Sequence, residues 1–186
     1  TVVDTLAEDF IVDRLSTLRP EDGVIGEEGS ERASRSGVSW VVDPIDGTAN
    51  YAAGNPMCAI LISLIVEDRP VAAITSMPML HRRLTAFEGS PVMVNGRPAT
   101  PLSEVDTLVA QVGFSSVASQ VRSRFPSLLR QGLLSELAET YLRPRITGSV
   151  GVDLAFTAQG IFGGAVSFSP HVWDNAAGVM LVRAAG

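Results

Sequence analysis

The sequence predicts an α+β fold built of stacked layers. Three observations carry that reading. Strand-like apolar runs cluster in the first half of the chain, helical and strand-like patterns mix in the second, and no internal repeat or low-complexity linker is visible. At 186 residues, 46% of them hydrophobic, with mean hydropathy +0.25, the chain can bury a substantial core as one or two domains.

At the start of the chain, TVVDTLAEDFIVDRL places Leu6, Phe10, Ile11 and Leu15 at helical spacing, with Asp4 where an N-cap would stand. SWVVD is a short continuous apolar run, the pattern of a buried strand. CAILISLIV and VAAITSM read as strands, and the Glu-Asp-Arg-Pro between them predicts an antiparallel pair. RRLTAF and PVMVNGRPAT continue the sheet, with Asn95-Gly96 a tight-turn signal. TLVAQVGF is a further strand, and SQVRSRFPSLLRQGLLSELAE is helical apart from a break before Pro126. LRPRIT fits a short strand, SVGVDLAFTAQG a buried helix ended by Gly160, and GAVSF a strand. WDNAAGVMLVRAAG reads as a small-residue helix packed closely on a neighbour.

Composition narrows the function classes. Fourteen basic against twenty acidic residues give a formal charge of −6, which disfavours a duplex-binding surface, because nucleic-acid affinity rests on Lys and Arg neutralising phosphates. No apolar stretch is long enough for a transmembrane helix, so neither nucleic acid nor membrane is an expected partner. The single cysteine, Cys58, lies in an apolar run and reads as a small buried hydrophobe of a reducing, cytoplasmic compartment. A signal-peptide pattern is not seen, and a start at Thr1 rather than Met reads as a trimmed or partial chain.

The chemistry centres on WVVDPIDGTANY, residues 40–51. A strand running into Asp43-Pro44-Ile45-Asp46 must turn, because Pro44 lacks an N–H and restricts the residue before it. Such a turn can aim both carboxylates to one side and leave the Ile45 carbonyl free. That is a hard-oxygen set, suited to Mg²⁺ rather than zinc. Gly47-Thr48 then opens a helix whose free N–H groups suit a phosphate. A bare D-x-x-D is more often a solvated turn capped by Asp. Gly26-Glu27-Glu28-Gly29 is a second acidic pair, with an exposed loop as its ordinary reading, and Asp174 in WDNAAG is equally at home as a helix N-terminal acid.

In this order, TVVD heading an amphipathic helix, GEEG, DPIDGTANY and WDNAAG resemble the inositol monophosphatase family of Mg²⁺-dependent sugar-phosphate phosphatases, over nearly the whole chain. The resemblance implies the layered αβαβα sandwich of the inositol monophosphatase and fructose-1,6-bisphosphatase type. It also implies a single domain over 1–186, with a metal-site half at 1–115 and a second half at 116–186. Family members usually carry one more helix before TVVD and a further strand and helix past AAG, so this chain corresponds to their middle portion.

Position by position, the resemblance implies metal ligands Glu27, Asp43, the Ile45 carbonyl, Asp46 and Asp174, holding two or three Mg²⁺ ions with Asp43 bridging. Asp46, Gly47 and Thr48 hold the phosphate, Thr48 with Asp4 orients the attacking water, and Glu27 belongs with the catalytic set. Lithium inhibition and a homodimer are implied as well. Gly148, Ser149, Ser167 and Asp174 fall on the substrate side. At Ser167, seven residues before the WD aspartate, inositol-cleaving members usually carry a glutamate that binds ring hydroxyls. The reaction implied is hydrolysis of inositol 1-phosphate or a related polyol or sugar phosphate by metal-activated water. Fructose 1,6-bisphosphate, histidinol phosphate and 3′-phosphonucleotides are the alternative substrates, and a catalytically dead metal- and phosphate-binding sensor is the alternative outside enzymes. His81 and His171 lack metal-ligand spacing and read as surface or packing residues.

Overall fold

The computed structural model describes residues 1–103, 109–119, 123–141 and 143–186. In chain order the elements are α1 (Val2–Leu18), β1 (Gly23–Gly26), β2 (Glu31–Arg32), β3 (Val38–Asp46), α2 (Thr48–Ala52), β4 (Ala59–Val66) and β5 (Arg69–Met77). After a 3₁₀ turn come β6 (Arg82–Phe87), β7 (Met93–Val94), β8 (Arg97–Pro98), β9 (Val112–Phe114) and α3 (Ser127–Tyr141). The chain continues through β10 (Pro144–Arg145), α4 (Val150–Ala158), β11 (Gly164–Val166) and α5 (Val172–Ala185).

Two sheets result. The larger has the order β2-β1-β3-β4-β5-β6-β7-β8, antiparallel except where β1 runs parallel to β3. The smaller, β10-β9-β11, is parallel throughout. Local chemistry explains the hairpins. Glu67 and Asp68, both at positive φ, form the two-residue loop joining β4 to β5, and Asn95-Gly96 does the same between β7 and β8.

Helices α4 and α5 lie between the sheets. Ala59 and Leu61 of β4, Ala73 and Met77 of β5, and Leu84 of β6 meet Val152, Ala155, Met180 and Leu181 in one core. Burial alternates along β4, so every second side chain faces this layer. The small residues of α5 let it approach α4 closely. A Cβ on Gly178 would stand 2.4 Å from Leu154 Cδ1. Helix α4 also touches β9 and β11, α3 packs on β9 and β10, and α1 packs on β3. The stack is therefore helix, sheet, helix pair, sheet, helix, an α+β sandwich.

Several details depart from the sequence expectation. Thr1, not Asp4, is the N-cap of α1, and Asp4 sits in its first turn. Only half of the apolar pattern of α1 marks its buried face: Ile11 and Leu15 are half-buried, in line with Asp4 and Glu8. Leu6 and Phe10 are 62% and 64% exposed, while Asp4 and Glu8 are each 1% exposed. The most buried side chains of the helix are these carboxylates, because they satisfy backbone N–H groups and a hydroxyl beneath them. The strand expected in TLVAQVGF is shorter, Val112–Phe114, with Val109 in a turn and residues 107–108 outside the described residues. The helix expected from residue 119 begins at Ser127, and residues 120–122 likewise lie outside the described residues. None of the helices among the described residues is long and apolar enough to cross a membrane.

Candidate active site at the end of the central strand

The site begins with a break in the β3–β4 ladder. Asp43 pairs with Leu61 and Asp46 with Ala59, so three steps on β3 match two on β4. Side chains alternate along a regular strand, which would send residues 43 and 46 to opposite faces. The extra residue at Pro44-Ile45 reverses that alternation and brings both aspartates to one side. Pro44 fits here because it has no N–H to leave unpaired.

Sterics fix the path of the chain beyond this bulge. Gly47 turns the chain with φ +85°, and a Cβ there would stand 2.9 Å from the Met57 carbonyl oxygen. Asp46 reaches the start of α4, where its Oδ2 accepts from Ser149 Oγ and from the Gly151 N–H at 2.6 Å. Here too only glycine fits, since a Cβ on Gly151 would stand 2.4 Å from Leu61 Cδ2 and 2.8 Å from that same Oδ2. Ser149 also caps α4, accepting from the Val152 N–H at 3.1 Å. Asn50 ties the corner to the loop before α4, donating to Met57 O at 2.6 Å and Thr147 O at 2.8 Å.

Helix α1 closes the corner from the other side. Thr48 Oγ1 lies 3.1 Å from both Asp4 Oδ1 and the Ile45 carbonyl oxygen. A hydroxyl carries one proton, so it serves one acceptor at a time. One turn along α1, Glu8 accepts from the Glu28 N–H and the Ser30 N–H, both at 2.9 Å. The GEEG loop is thus clamped by a buried carboxylate, and Gly26 leaves room for it, since a Cβ there would stand 2.4 Å from Glu8 Cδ.

Asp174, in the first turn of α5, completes the cluster. Carboxylate oxygens of Asp43, Asp46 and Asp174 lie within 4.8 Å of one another, close enough to hold a metal ion. Burial, then the facing Asp46 and Glu27, push the Asp43 carboxyl up to about 10. Burial pushes Asp46 up to about 7, against the opposing hydrogen bonds from Ser149 and Gly151. Burial also raises Glu27, and the Asp174, Glu28 and Asp4 charges add to it. Asp43 Oδ1 is buried and accepts no hydrogen bond among the described residues. Like charges this close, with an oxygen left unpaired, fit a hard divalent cation bound among them.

A cleft of about 860 Å³ opens beside this cluster. Asp46 and Asp174 line it on one side, together with Gly148, and Ser167 and His171 line it further on. Ser149 is 1% exposed and is not among the lining residues, its hydroxyl being engaged with Asp46 and Val152. Ser167 Oγ accepts the Ser169 N–H at 3.2 Å, and His171 stacks on Trp173 with centroids 4.6 Å apart. Glu8, Asn50 and Arg130 do not stand out in the sequence. No motif marks a carboxylate on a helix as a clamp for a distant loop. Asn50 lies inside DPIDGTANY, where its bond to residue 147 depends on tertiary contact.

Fold and site together define a layered α+β protein with a carboxylate cluster at the mouth of a cleft. The model of the inositol monophosphatase family matches residues 1–186. A protein of Mycobacterium tuberculosis named "Probable inositol 1-monophosphatase ImpA" is 48% identical over 163 residues, which cover 88% of this chain and 60% of that protein. The inositol-1-monophosphatase ImpA of Mycolicibacterium smegmatis is 44% identical over 186 residues, 100% of this chain and 67% of the relative. Among solved structures, the extragenic suppressor protein SuhB of Bartonella henselae superposes with TM-score 0.85 at 28% identity, covering 98% of this chain and 69% of that one. The chain belongs to the inositol monophosphatase family. It spans about three-fifths to two-thirds of the length of these curated relatives.

Proposed function

We propose that the protein carrying this chain is a Mg²⁺-dependent phosphatase that hydrolyses a small phosphate monoester, either inositol 1-phosphate or a related polyol or sugar phosphate. The observation that carries this reading is the convergence of Asp43, Asp46 and Asp174, with Asp43 Oδ1 unpaired, beside a cleft large enough for a phosphorylated polyol. An all-oxygen donor set of this charge fits Mg²⁺. Glu27, Asp43, the Ile45 carbonyl, Asp46 and Asp174 are the groups that would hold two or three ions, with Asp43 shared.

Bound there, divalent cations neutralise phosphate charge and acidify a nucleophilic water, which an otherwise very slow hydrolysis requires. The chain's own residues supply the rest. Gly47 and Thr48 present backbone N–H groups at the start of α2 for a phosphate oxygen. Thr48 Oγ1, held between Asp4 and the Ile45 carbonyl, can accept a proton from a water while passing its own to Asp4. Glu8 fixes the loop that carries Glu27. Asp46 keeps Oδ2 on the α4 N-terminus and so presents Oδ1 in a set orientation. Gly148, Ser167 and Asp174 meet the leaving group along the cleft.

The test is phosphate release by the full-length protein from inositol 1-phosphate, glycerol 2-phosphate, fructose 1,6-bisphosphate, histidinol phosphate and a 3′-phosphonucleotide. Release is expected with Mg²⁺ and lost on chelation. Full turnover after exhaustive chelation, or none on any substrate with Mg²⁺, would overturn the reading.

A further inference from the structure

The wall of the cleft opposite in chemistry to the aspartates is built around two arginines. Arg130 of α3 is 6% exposed, and four of its bonds go to neutral acceptors: Phe125 O at 2.8 Å, Ser116 Oγ at 2.6 Å, Ala118 O at 2.9 Å and Ser123 Oγ at 3.1 Å. Its guanidinium lies 4.6 Å from the Phe168 ring centroid. Among the described residues no carboxylate comes within ion-pair distance of it. A buried cation without a counter-charge is costly unless something anionic comes near. Arg124, exposed and stacked over Phe125 at 5.7 Å, lines the same cleft and likewise has no ion pair among the described residues. Between them the wall is hydroxyl-rich, with Ser115, Ser116, Ser123, Ser167 and Ser169. The aspartates in the lining come from β3 and α5, at the cluster, and none comes from this wall.

We propose that this arginine wall recognises a carboxylate on the leaving group, so that the preferred substrates are phosphate monoesters whose alcohol portion is also a carboxylic acid. The inference rests on the phosphatase reading above and names the substrate class within it. Arg124 supplies the accessible cation. Arg130 fixes the loop carrying Arg124 and Phe125 and adds its own positive field to the cleft. A neutral polyol gains only ordinary hydrogen bonds on this wall, which discriminate weakly, whereas an anion gains charge-assisted ones from Arg124.

A matched pair of substrates tests it. Glucitol 6-phosphate and 6-phosphogluconate differ only in whether the far end of a six-carbon chain is a hydroxymethyl or a carboxylate. With the full-length protein and Mg²⁺ at low ionic strength, kcat/KM is expected to be about tenfold higher for 6-phosphogluconate. The ratio should shrink with added salt, fall to near one in Arg124→Gln, fall below one in Arg124→Glu, and be partly kept in Arg124→Lys. A wild-type ratio of one or less, or a ratio unchanged in Arg124→Gln, overturns the inference while leaving the phosphatase reading intact. So does cleavage of glycerol 2-phosphate with neither six-carbon ester cleaved. No release from any of the three, nor from inositol 1-phosphate and the other esters tested above, overturns both.

Discussion

The corner at the end of β3 and the arginine wall across the cleft are held in different ways. At the corner, backbone and side chains leave one arrangement. A bulge aims Asp43 and Asp46, two glycines admit no Cβ, and Asp46 is fixed by Ser149 and Gly151. At the wall a single side chain, Arg130, gathers Ser116, Ala118, Ser123 and Phe125. In the proposed function, chemistry common to any phosphate ester would fall on the first region, and discrimination among alcohols on the second. A reaction centre tolerates little displacement, since misplacement by about 1 Å can cost 10²-fold in rate. A recognition wall can be re-lined by changing one or two side chains.

Changes at the corner should therefore reach every substrate equally. Asp46→Asn removes a ligand charge but keeps an oxygen for Ser149 and Gly151, so the fold should survive while kcat falls by roughly 10² or more. Asp174→Asn should behave alike. Circular dichroism and turnover at saturating Mg²⁺ check both halves of this. Near wild-type kcat would remove these residues from the ligand set.

Gly151→Ala probes the same corner through sterics. Its Cβ would press on Leu61 and on the Asp46 carboxylate, and overpacking of this kind costs about 1–3 kcal/mol. The denaturant midpoint should drop and turnover should fall on all substrates together. A midpoint and kcat both unchanged would mean that the α4 N-terminus gives way freely, and the contrast between the two regions would weaken.

The buried carboxylates make a third prediction, on pH. Asp43 and Asp46 titrate at about 10 and about 7 in the fold against an ordinary 3.8, so the folded state holds protons that the unfolded chain has released. Their contribution to metal-free stability is then fullest below the ordinary carboxylate range. It is lost as pH rises through about 7 for Asp46 and toward about 10 for Asp43. The Tm of chelated protein should fall from mildly acidic to mildly alkaline pH, and the gain in Tm on adding Mg²⁺ should grow over the same window. A metal-independent Tm that stays flat with pH would refute it.

The smallest expected effect belongs to the cleft. Ser167→Glu adds an acceptor to the cleft, and kcat/KM for inositol 1-phosphate relative to glycerol 2-phosphate should rise several-fold, with kcat on glycerol 2-phosphate little changed. Parallel kinetics on the two substrates decide it. An unchanged ratio would assign ring recognition to another part of the wall.

The sequence by itself determined the strands β3 to β8 of the large sheet, the buried helix closed by Gly160 and the small-residue packing of α5, because alternation, turn residues and glycines are local signals; β1 and β2, four and two residues long, are too short to carry such a pattern and were not legible. It also placed the acidic motifs, although the turn expected at Pro44 is a bulge inside β3, which runs on to Asp46, and the chain turns only at Gly47. Tertiary structure alone decided which of these residues meet. Asp174 lies 128 residues from Asp46 in sequence, and nothing local states that the α5 N-terminus returns to the end of β3. The apolar pattern of α1 misled at Leu6 and Phe10 for a related reason. A periodicity shows that a helix has two faces, but the carboxylates of Asp4 and Glu8 were drawn inward by N–H and hydroxyl partners that only the folded chain supplies. Arg130 shows the same limit. Its role comes from loops that converge on it in space, where unsatisfied carbonyls and hydroxyls find a common donor.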